Sequence, residues 1–421
     1  MLTQAPRGTK DILPARIGQW IYVEGKIREI CARYGFSEIR TPIFEHTELF
    51  QRGIGDTTDV VEKEMYTFTD RGGRSLTLRP ENTASAVRAY LENKLYADHP
   101  VTKLFYIGSM FRFDRPQKGR FREFHQFGVE VLGEKSPLVD AEIIILAVRF
   151  LESLGLNDLV LKLNSVGDAQ CRTRYRQQLQ DFFRDKLADL CEDCRSRFDR
   201  NPMRLLDCKN EKCQMVSRGA PKITDCLCDE CQNHFQKVQD YLTSAGIQFV
   251  LDSRLVRGLD YYTRTAFEIQ YVPLGAQSAV AGGGRYDGLI EEIGGTPTPG
   301  IGFAVGLERV MVAMEIQNLC PMEEKHADVF LVALGETAQR AIFPLLIRMR
   351  DRGLNVTMDY AGRSLKSQMR AADKAQVHFA VILGEHELAE NYAVLRDMYS
   401  SEQRQVPLPD IINTLCAEVK N

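Results

Sequence analysis

The sequence predicts an α+β chain in three parts, and three observations lead to this prediction. Strand patterns in which apolar and polar residues alternate occupy the first part and return after residue 246, which favours antiparallel pairing. The stretch between them is charged, helical in pattern and rich in cysteine. In the last hundred or so residues, strand and helix patterns alternate, which is typical of βαβ units with a largely parallel sheet. We therefore predict an α+β domain on an antiparallel sheet (1–157 and 247–325), a mainly helical, Cys-rich insertion (158–246) and a C-terminal α/β domain (326–421).

Length and composition agree with this division. A chain of 421 residues is long enough for two or three domains. Its 44% hydrophobic and 26% charged residues are typical of a soluble globular protein and exclude a disordered or fibrous one. The net charge is −3, so any affinity for nucleic acid must come from local patches. The start has no apolar segment and the most apolar run is interrupted at Arg149, so we expect a cytoplasmic protein without a membrane partner.

The elements of the first domain follow in order. Apolar residues at helical spacing over 15–34, ending in Tyr-Gly-Phe, predict an amphipathic helix. The run FSEIRTPIFE predicts a strand, in which Pro42 favours a sheet edge. MYTFTD and RSLTLR around two glycines predict a hairpin, and NTASAVRAYLENKL predicts a helix. KLFYIGSMFRFD and FREFHQFGVEVLG predict two antiparallel strands around a basic loop, followed by a helix from about Val139 to Leu154.

The second half of this domain begins after the insertion. IQFVLDSRLVRGLDYYTRTAFEIQYV reads as strand, AGGGRYDGL as a glycine-rich turn, and GIGFAVGLERVMVAMEI as glycines leading into a helix that Arg309 opens. In the C-terminal domain, the strand patterns DVFLVAL, NVTMD and FAVILG are separated by helix patterns.

Three arginines give the first indication of chemistry. Arg112 lies on a predicted strand that precedes a basic loop, and it starts the basic segment 112–122, in which five cations face one anion. An arginine fork matches phosphate oxygens bidentately and keeps its charge. One such residue is weak evidence because most arginines on strands are solvated. Arg257, in LVRGLDYY, and Arg309, in GLER, add two further candidates for a site that stabilises negative charge.

These segments together resemble a known family. The helix and strand ending at Pro42, the FRFD...RFREFHQFGVEV hairpin and the GIGFAVGLER segment resemble the three signature motifs of class II aminoacyl-tRNA synthetases, in the same order. LVRGLDYYTRTAFE and AGGGRYDGL resemble the two histidine-specific signatures of histidyl-tRNA synthetases. The resemblance extends over essentially the whole chain, from PRGTKDILP to the C-terminal domain.

The resemblance implies a fold and an activity. The first domain would be a class II catalytic domain that dimerises through motif 1, and the last an anticodon-binding domain. The implied enzyme activates L-histidine with ATP and Mg²⁺ to histidyl-adenylate and pyrophosphate, then transfers histidine to the 3′ end of tRNA(His).

Residue by residue, the resemblance also implies ATP contacts. Arg112 would hold the α-phosphate and the histidine carboxylate, and Arg257 would stand on the far side of that phosphate, where other class II enzymes rely on a metal ion. Arg309 would stack on the adenine. Arg120 and Glu123 would be further ATP contacts.

Histidine offers an ammonium group and an imidazole that donates and accepts hydrogen bonds, so acidic and hydroxyl groups must meet it. Glu130, four residues after Gln126 on the same strand face, would receive the imidazole N–H. One tyrosine of a neighbouring pair on a strand is expected to point away from the pocket. The full histidine set implied by the resemblance is Glu81, Asn82, Thr83, Arg112, Gln126, Glu130, Arg257, Tyr261, Tyr262 and Tyr286.

Contacts with tRNA are expected at two places. Arg115 and Gln117, in the loop that follows Arg112, would meet the acceptor end, either by reading its terminal base pair or by steering phosphates. In the C-terminal domain, one predicted helical segment carries Arg363, Lys366, Arg370 and Lys374. A solvated charged face explains that pattern equally well.

Seven of the eleven cysteines fall between Cys191 and Cys231. Two C-x-x-C pairs with further thiols between them are a strong spacing for structural zinc. Our first choice of ligands is Cys191, Cys194, Cys228 and Cys231, with Cys208 and Cys213 as alternates. The open alternative is a set of reduced cysteines packed among the helices of the insertion.

Two other functions remain to be weighed. A regulatory paralogue that binds histidine without charging tRNA lacks the anticodon-binding domain and loses the ATP arginines, whereas this chain keeps Arg112, Arg257 and Arg309. A zinc-dependent nucleic-acid-binding module explains only the insertion.

Overall fold

The structure is a computed structural model that describes residues 3–55, 58–117, 119–208, 210–319 and 327–419. The chain separates into two compact units, Met1–Met322 and Glu323–Asn421. The predicted boundary between residues 325 and 326 and the basic residue Lys118 lie outside the described residues. None of the helices in the described ranges is long and apolar enough to cross a membrane.

The helices and strands of the first unit begin and end as follows. In chain order they are α1 (Pro14–Arg33), β1 (Ser37–Glu38), β2 (Phe44–His46), α2 (Thr47–Ile54), β3 (Tyr66–Thr69), β4 (Ser75–Leu78), α3 (Thr83–Glu92), β5 (Thr102–Phe111), β6 (Glu123–Leu132), α4 (Pro137–Ser153), β7 (Leu159–Ser165), α5 (Ala169–Phe183), α6 (Glu192–Arg200), α7 (Glu211–Val216), α8 (Asp229–Ser244), β8 (Val250–Leu251), β9 (Thr263–Tyr271), β10 (Ala279–Arg285), α9 (Leu289–Glu292), β11 (Gly300–Gly306) and α10 (Leu307–Ile316).

A large sheet organises this unit. Within the described ranges it has eight strands, in the order β1-β5-β6-β11-β10-β9-β7-β8. The two outermost pairs are parallel and the pairs between them are antiparallel, which confirms the predicted antiparallel sheet. On β6, Phe127, Val129 and Val131 are buried in a core shared with α1 and α4. Because side chains alternate along a strand, the residues between them face the opposite side of the sheet.

Pro42 divides what the sequence presents as one strand. The run FSEIRTPIFE forms β1, which pairs with β5, and β2, which belongs to a separate sheet of order β2-β4-β3. A proline has no N–H to donate to a strand ladder, so the chain changes sheets at this residue. The predicted hairpin is formed by β3 and β4.

Two predictions of local structure are wrong. AGGG belongs to β10, a strand paired with both β9 and β11, and not to a turn. Arg257, Tyr261 and Tyr262 lie in an irregular segment between β8 and β9, and not on a strand. In β10, a Cβ on Gly282 would collide with the guanidinium of Arg257, so this glycine permits a close approach.

The stretch predicted as the insertion is only partly separate from the large sheet. Its first element, β7, pairs with β9, and its last helix, α8, contributes Phe235, Val238 and Leu242 to the sheet's core. Between them, α5, α6 and α7 surround a second apolar cluster that includes Tyr175, Phe183 and Cys194. The predicted range 158–246 therefore includes two elements that pack with the large sheet.

The second unit has its own sheet and core. Its elements are β12 (Val329–Ala333), α11 (Glu336–Asp351), β13 (Val356–Met358), α12 (Leu365–Lys374), β14 (Phe379–Leu383), α13 (Glu385–Ala389), β15 (Tyr392–Asp397), β16 (Gln403–Pro407) and α14 (Ile411–Glu418). The strand order is β13-β12-β14-β15-β16, with β12 parallel to β13 and β14 and the other pairs antiparallel. The sheet is therefore mixed, and the predicted βαβ pattern describes its first three strands.

Candidate active site

A cleft of about 400 Å³ opens on the face of the large sheet away from α4. Residues from β6, β9, β10 and β11 line its floor, among them Gln126, Glu268, Gly282 and Gly302. Gln126 precedes Phe127, which faces the core, so the two-residue period of β6 directs the Gln126 side chain to the cleft. Its Oε1 is buried and has no hydrogen-bond partner among the described residues, so it is available to accept from a ligand.

Several arginines converge on this cleft, four of which the sequence predicts as site residues. Arg112, Arg120, Arg257 and Arg309 all line it. Burial lowers the pKa of Arg309, and the nearby charges of Arg120, Arg112 and Arg257 lower it further, while Glu268 acts in the opposite direction. Carboxylates such as Glu64, Glu81 and Glu268 also line the cleft, so the arginines form a local cluster of positive charge within it. Such a cluster suits a ligand with several phosphates.

Backbone and side-chain contacts hold these arginines in place. Arg112 Nε donates to the Pro80 carbonyl at 2.8 Å, and Arg309 Nη1 donates to the Ala279 carbonyl at 2.7 Å. Arg257 Nη1 donates to Glu268 Oε2 at 2.8 Å. Its Nε is buried without a hydrogen-bond partner in the part of the chain that the structure describes. Arg257 therefore has a donor to offer to a ligand.

Next to the arginines lies a pocket with aromatic walls. Tyr261, Tyr262 and Tyr286 are buried and line the cleft. The rings of Tyr261 and Tyr262 are 4.7 Å apart, and those of Tyr261 and Tyr286 are 5.6 Å apart. The expectation that one tyrosine of the pair points away is wrong, because strand alternation does not apply to their irregular segment.

Glu130 is buried and does not itself line the cleft, but it contacts residues that do, and its carboxyl is surrounded by hydroxyl groups. Thr83 Oγ1 donates to its Oε1 at 2.8 Å, Tyr106 donates to the same oxygen at 3.2 Å, and Tyr286 donates to Oε2. Burial raises the pKa of Glu130 to about 8, although the hydrogen bonds from Tyr286 and Thr83 oppose the rise. A Cβ on Gly302 would collide with the carboxyl, so this glycine provides the space.

Glu81 provides a second acidic group. It lines the cleft, and its carboxyl accepts from the backbone N–H groups of Thr83 at 2.7 Å and Ala84 at 2.9 Å, at the start of α3. Burial raises the pKa of Glu81, against these hydrogen bonds. The carboxyl is thus fixed in orientation by the helix that also carries Thr83.

Several predicted site residues do not line the cleft. Asn82 is buried, and its Oδ1 accepts from Thr41 at 2.7 Å and from Arg79 at 3.2 Å. Glu123 precedes Phe124, which lines the cleft, so strand alternation directs it to the other face. Neither side chain lines the cleft, and the histidine contact of Asn82 and the ATP contact of Glu123 stay predictions. Arg115 and Gln117 are exposed in the loop between β5 and β6.

The cleft also contains residues that the sequence did not single out. Tyr106 lies opposite Gly128 in the β5–β6 pair, and a Cβ at that glycine would collide with its ring. Once the register of the two strands is known, a glycine opposite a tyrosine indicates that the tyrosine ring lies over the glycine. Glu64 and Arg204 also line the cleft, and burial raises the pKa of Glu64. Both residues lie outside the sequence motifs, so no local pattern predicted them.

The cysteines form two clusters, and this corrects the predicted zinc site. One consists of Cys191, Cys194, Cys208 and Cys213, and the other of Asp168, Cys171, Cys228 and Cys231. In each, all four ligand atoms lie within 4.8 Å of one another. The first-choice set is wrong as a single site because its two C-x-x-C pairs lie in different clusters. The two alternates complete the first cluster.

Comparisons with known proteins agree with this geometry. A family model described as histidyl-tRNA synthetase matches residues 8–310, and one described as anticodon binding domain matches residues 328–418. The histidine–tRNA ligase of Desulforamulus reducens is 54% identical over 412 residues, covering 98% of both chains. That of Moorella thermoacetica is 53% identical over 420 residues, covering 100% of this chain and 99% of the relative.

Solved structures show the same fold. The apo histidyl-tRNA synthetase of S. aureus has a TM-score of 0.83 and 38% identity, covering 98% of this chain and 100% of the other. The enzyme from Nostoc sp. PCC 7120, at 21% identity and a TM-score of 0.67, shares the fold. An antiparallel sheet with an arginine-lined cleft, followed by an anticodon-binding domain, defines a class II aminoacyl-tRNA synthetase.

Within that class, the chain belongs to the histidyl-tRNA synthetase family. It is a ligase that uses ATP and Mg²⁺ to activate histidine and transfers the histidine to tRNA(His). The retained arginines and the anticodon-binding domain contradict the regulatory-paralogue alternative.

Proposed function

We propose that histidine is adenylated in the arginine cleft, with Arg112 and Arg257 on either side of the α-phosphate and Arg309 against the adenine. The observation that carries this proposal is the convergence of these side chains on one cavity beside a tyrosine-walled pocket. Arg120, also in the cleft, contacts the outer phosphates. The side chains neutralise charge as the histidine carboxylate attacks and pyrophosphate leaves.

In this proposal the pocket recognises histidine at both ends. Glu81 and Thr83 bind the α-ammonium, Gln126 Oε1 offers an acceptor, and Glu130 accepts the imidazole N–H. Because its raised pKa keeps Glu130 protonated in the ligand-free site, histidine binding in this proposal is accompanied by loss of that proton to solvent, and the resulting carboxylate has about four acceptor positions. Three are taken by Thr83, Tyr106 and Tyr286, which leaves one for the substrate. A site built in this way rejects side chains that lack the N–H, because its buried acceptor would remain unpaired.

Catalysis then rests on positioning and electrostatics. No protein side chain has to form a covalent intermediate, because the carboxylate of histidine is itself the nucleophile. Mg²⁺ enters with ATP as part of the substrate, and Glu64 in the cleft is an oxygen ligand of the kind that this ion prefers. Histidine-dependent exchange of pyrophosphate into ATP tests the whole proposal, and absence of exchange in folded protein would refute it.

The raised pKa of Glu130 predicts a pH dependence of stability. A pKa near 8 in the folded protein lies above the usual 4.5, so the folded state binds the proton more tightly than the unfolded one. The resulting stabilisation is fully present below pH 4.5 and is lost as pH rises through 8. The slope in between is at most about 1.4 kcal/mol per pH unit.

Urea unfolding of the ligand-free protein at pH values from 5 to 9 measures this dependence. Glu130→Gln, which cannot ionise, should lose less stability than the wild type over that range. Equal slopes for the two proteins would contradict the proposed ionisation of Glu130.

We propose that tRNA contacts both units. Arg115 and Gln117 are exposed in the loop beside the cleft, where an acceptor end would enter. In the second unit, Lys366, Arg370 and Lys374 are exposed on α12 at four-residue spacing, opposite the buried Gln368 and Ala372. Arg363 precedes this helix and is paired with Asp359. These cations form the proposed contact for the anticodon stem.

The active form is proposed to be a homodimer through the catalytic unit. Apolar side chains are exposed in and beside the β2-β4-β3 sheet, which follows the segment that resembles motif 1: Ile43 by 49%, Phe44 by 51% and Phe68 by 44%. The rings of Phe44 and Phe68 are 6.4 Å apart. A contiguous apolar surface of this kind is typical of a protein interface.

Replacing both Phe44 and Phe68 with aspartate should therefore convert the dimer to a monomer, because burying two carboxylates in the interface is unfavourable. Sedimentation equilibrium measures the mass. Phe343→Asp, at a position exposed by 54% on the second unit, is the matched control and should remain dimeric. A monomeric wild type, or a double variant that stays dimeric, would contradict the proposed interface.

We further propose a structural zinc ion at Cys191, Cys194, Cys208 and Cys213. The sulfur atoms of Cys191 and Cys208 are 3.8 Å apart. Tetrahedral zinc with Zn–S bonds of about 2.3 Å places its sulfur ligands about 3.8 Å from one another. Thiols remain reduced in the cytoplasm, which is where we place the protein.

A further inference from the structure

The second cluster, Asp168, Cys171, Cys228 and Cys231, contains residues that the sequence patterns did not bring together. Asp168 and Cys171 lie at the start of α5, and Cys228 and Cys231 at the start of α8. We propose that these four side chains form a second metal site, which binds a zinc-class divalent cation independently of the first.

The distances fit a single tetrahedral ion. Asp168 Oδ2 is 3.4 Å from Cys228 Sγ and 3.3 Å from Cys231 Sγ. Zinc with bonds of about 2.3 Å to sulfur and about 2.1 Å to oxygen places such ligand atoms about 3.6 Å apart.

The carboxyl group of Asp168 is oriented for this role. Its Oδ1 accepts from the backbone N–H of Cys171 at 2.8 Å and thereby caps α5. Its other oxygen, Oδ2, faces the thiols of Cys228 and Cys231. A hydrogen bond that fixes one oxygen while the other is directed at the ion is typical of the supporting contacts around metal ligands.

The two clusters repeat one local arrangement. In the first, Cys191 is the residue before α6, and its backbone N–H donates to Cys213 Sγ at 3.2 Å. In the second, Cys228 is the residue before α8, and its N–H donates to Cys171 Sγ at 3.1 Å. In both, a C-x-x-C pair opens a helix and binds a sulfur from elsewhere in the chain. An N–H group directed at sulfur stabilises a thiolate, the form that binds metal.

The position of the second cluster gives the ion a structural task. Asp168 and Cys171 follow β7 of the large sheet, and Cys228 and Cys231 open α8, which packs on α4. An ion here joins the two ends of the insertion. The next residue after Cys171 is Arg172, whose Nη1 donates to the carbonyls of Asp260 at 3.2 Å and Tyr262 at 3.1 Å. The ion thus fixes the start of α5, the helix whose Arg172 holds the backbone of the segment that carries Tyr261 and Tyr262.

Metal analysis of the full-length protein, purified with zinc and then gel-filtered, tests the proposal. The wild type should retain two zinc ions per chain. Asp168→Asn, which keeps the helix-capping acceptor, and Cys228→Ser should each retain one. Cys208→Ser should also retain one, from the other site. Cys226→Ser is the matched control, because Cys226 belongs to neither cluster, and it should retain two.

The absorbance of the cobalt-substituted protein gives a second test, in which the variant adds a sulfur ligand to the site instead of removing a ligand. Asp168→Cys changes the second site from three sulfur ligands to four, so the sulfur-to-cobalt charge-transfer absorbance per chain should increase. One zinc per wild-type chain, lost in Cys208→Ser but kept in Asp168→Asn and Cys228→Ser, would overturn the second site and leave the first intact. No zinc in the wild type would overturn both, and an unchanged cobalt spectrum in Asp168→Cys would overturn the second alone.

Discussion

Arg257→Ala is expected to lower the rate of histidyl-adenylate formation by about 10²- to 10³-fold or more, comparable to the loss of an oxyanion-hole donor. Arg257 lines the cleft and has a buried Nε without a hydrogen-bond partner among the described residues. We expect this donor to contact the α-phosphate as charge accumulates in the transition state. Histidine-dependent ATP–pyrophosphate exchange measures the step without any contribution from tRNA.

The fold should survive this substitution, because Glu268 keeps its hydrogen bond from Gln270 at 2.6 Å. Thermal unfolding monitored by circular dichroism verifies this. Arg254→Ala is the matched control: Arg254 is an exposed arginine of the same segment and its removal should leave exchange unchanged. Exchange at the wild-type rate in folded Arg257→Ala would refute the assigned role.

Glu130→Gln is expected to raise the KM for histidine by about 10- to 100-fold, which corresponds to the loss of one hydrogen bond to a charged group. The amide keeps an acceptor and nearly the same volume but has no charge. Because Glu130 is buried behind the pocket and away from the phosphates, the KM for ATP should change little. A change in the KM for histidine without a change in the KM for ATP distinguishes histidine recognition from a general disturbance of the cleft.

The matched control for Glu130 is Glu123→Gln on the same strand. Glu123 faces away from the cleft, so both KM values should remain at the wild-type level. A large effect of Glu123→Gln on the KM for ATP would instead support the predicted ATP contact of Glu123. An unchanged KM for histidine in Glu130→Gln would contradict the proposed imidazole contact.

Strands and site residues can be predicted from the sequence where a local pattern determines the direction of each side chain. The β5–β6 hairpin was predicted from alternation, and the same two-residue period placed Gln126 and Glu130 on one face. Arg112 follows directly from the end of β5, so its place at the cleft needed no long-range information.

Other features depend on contacts between distant segments. Glycines in AGGG indicate a turn by local propensity, yet Gly282 lies in a strand paired on both sides, where the absence of a side chain leaves room for Arg257. The two C-x-x-C pairs are similar in sequence, but their partners come from opposite directions along the chain: Cys208 and Cys213 follow the first pair, and Asp168 and Cys171 precede the second. Spacing alone cannot distinguish these arrangements, since it contains no information on which helices pack together.

The central claim is that guanidinium groups from distant segments surround one nucleotide next to a pocket for imidazole. A crystal structure of the protein with histidine and a non-hydrolysable ATP analogue tests it most directly. The account predicts the α-phosphate between Arg112 and Arg257, the adenine against Arg309 and the imidazole N–H within hydrogen-bonding distance of Glu130. A nucleotide bound outside this cleft, or an α-phosphate without contact to Arg112 and Arg257, would contradict it.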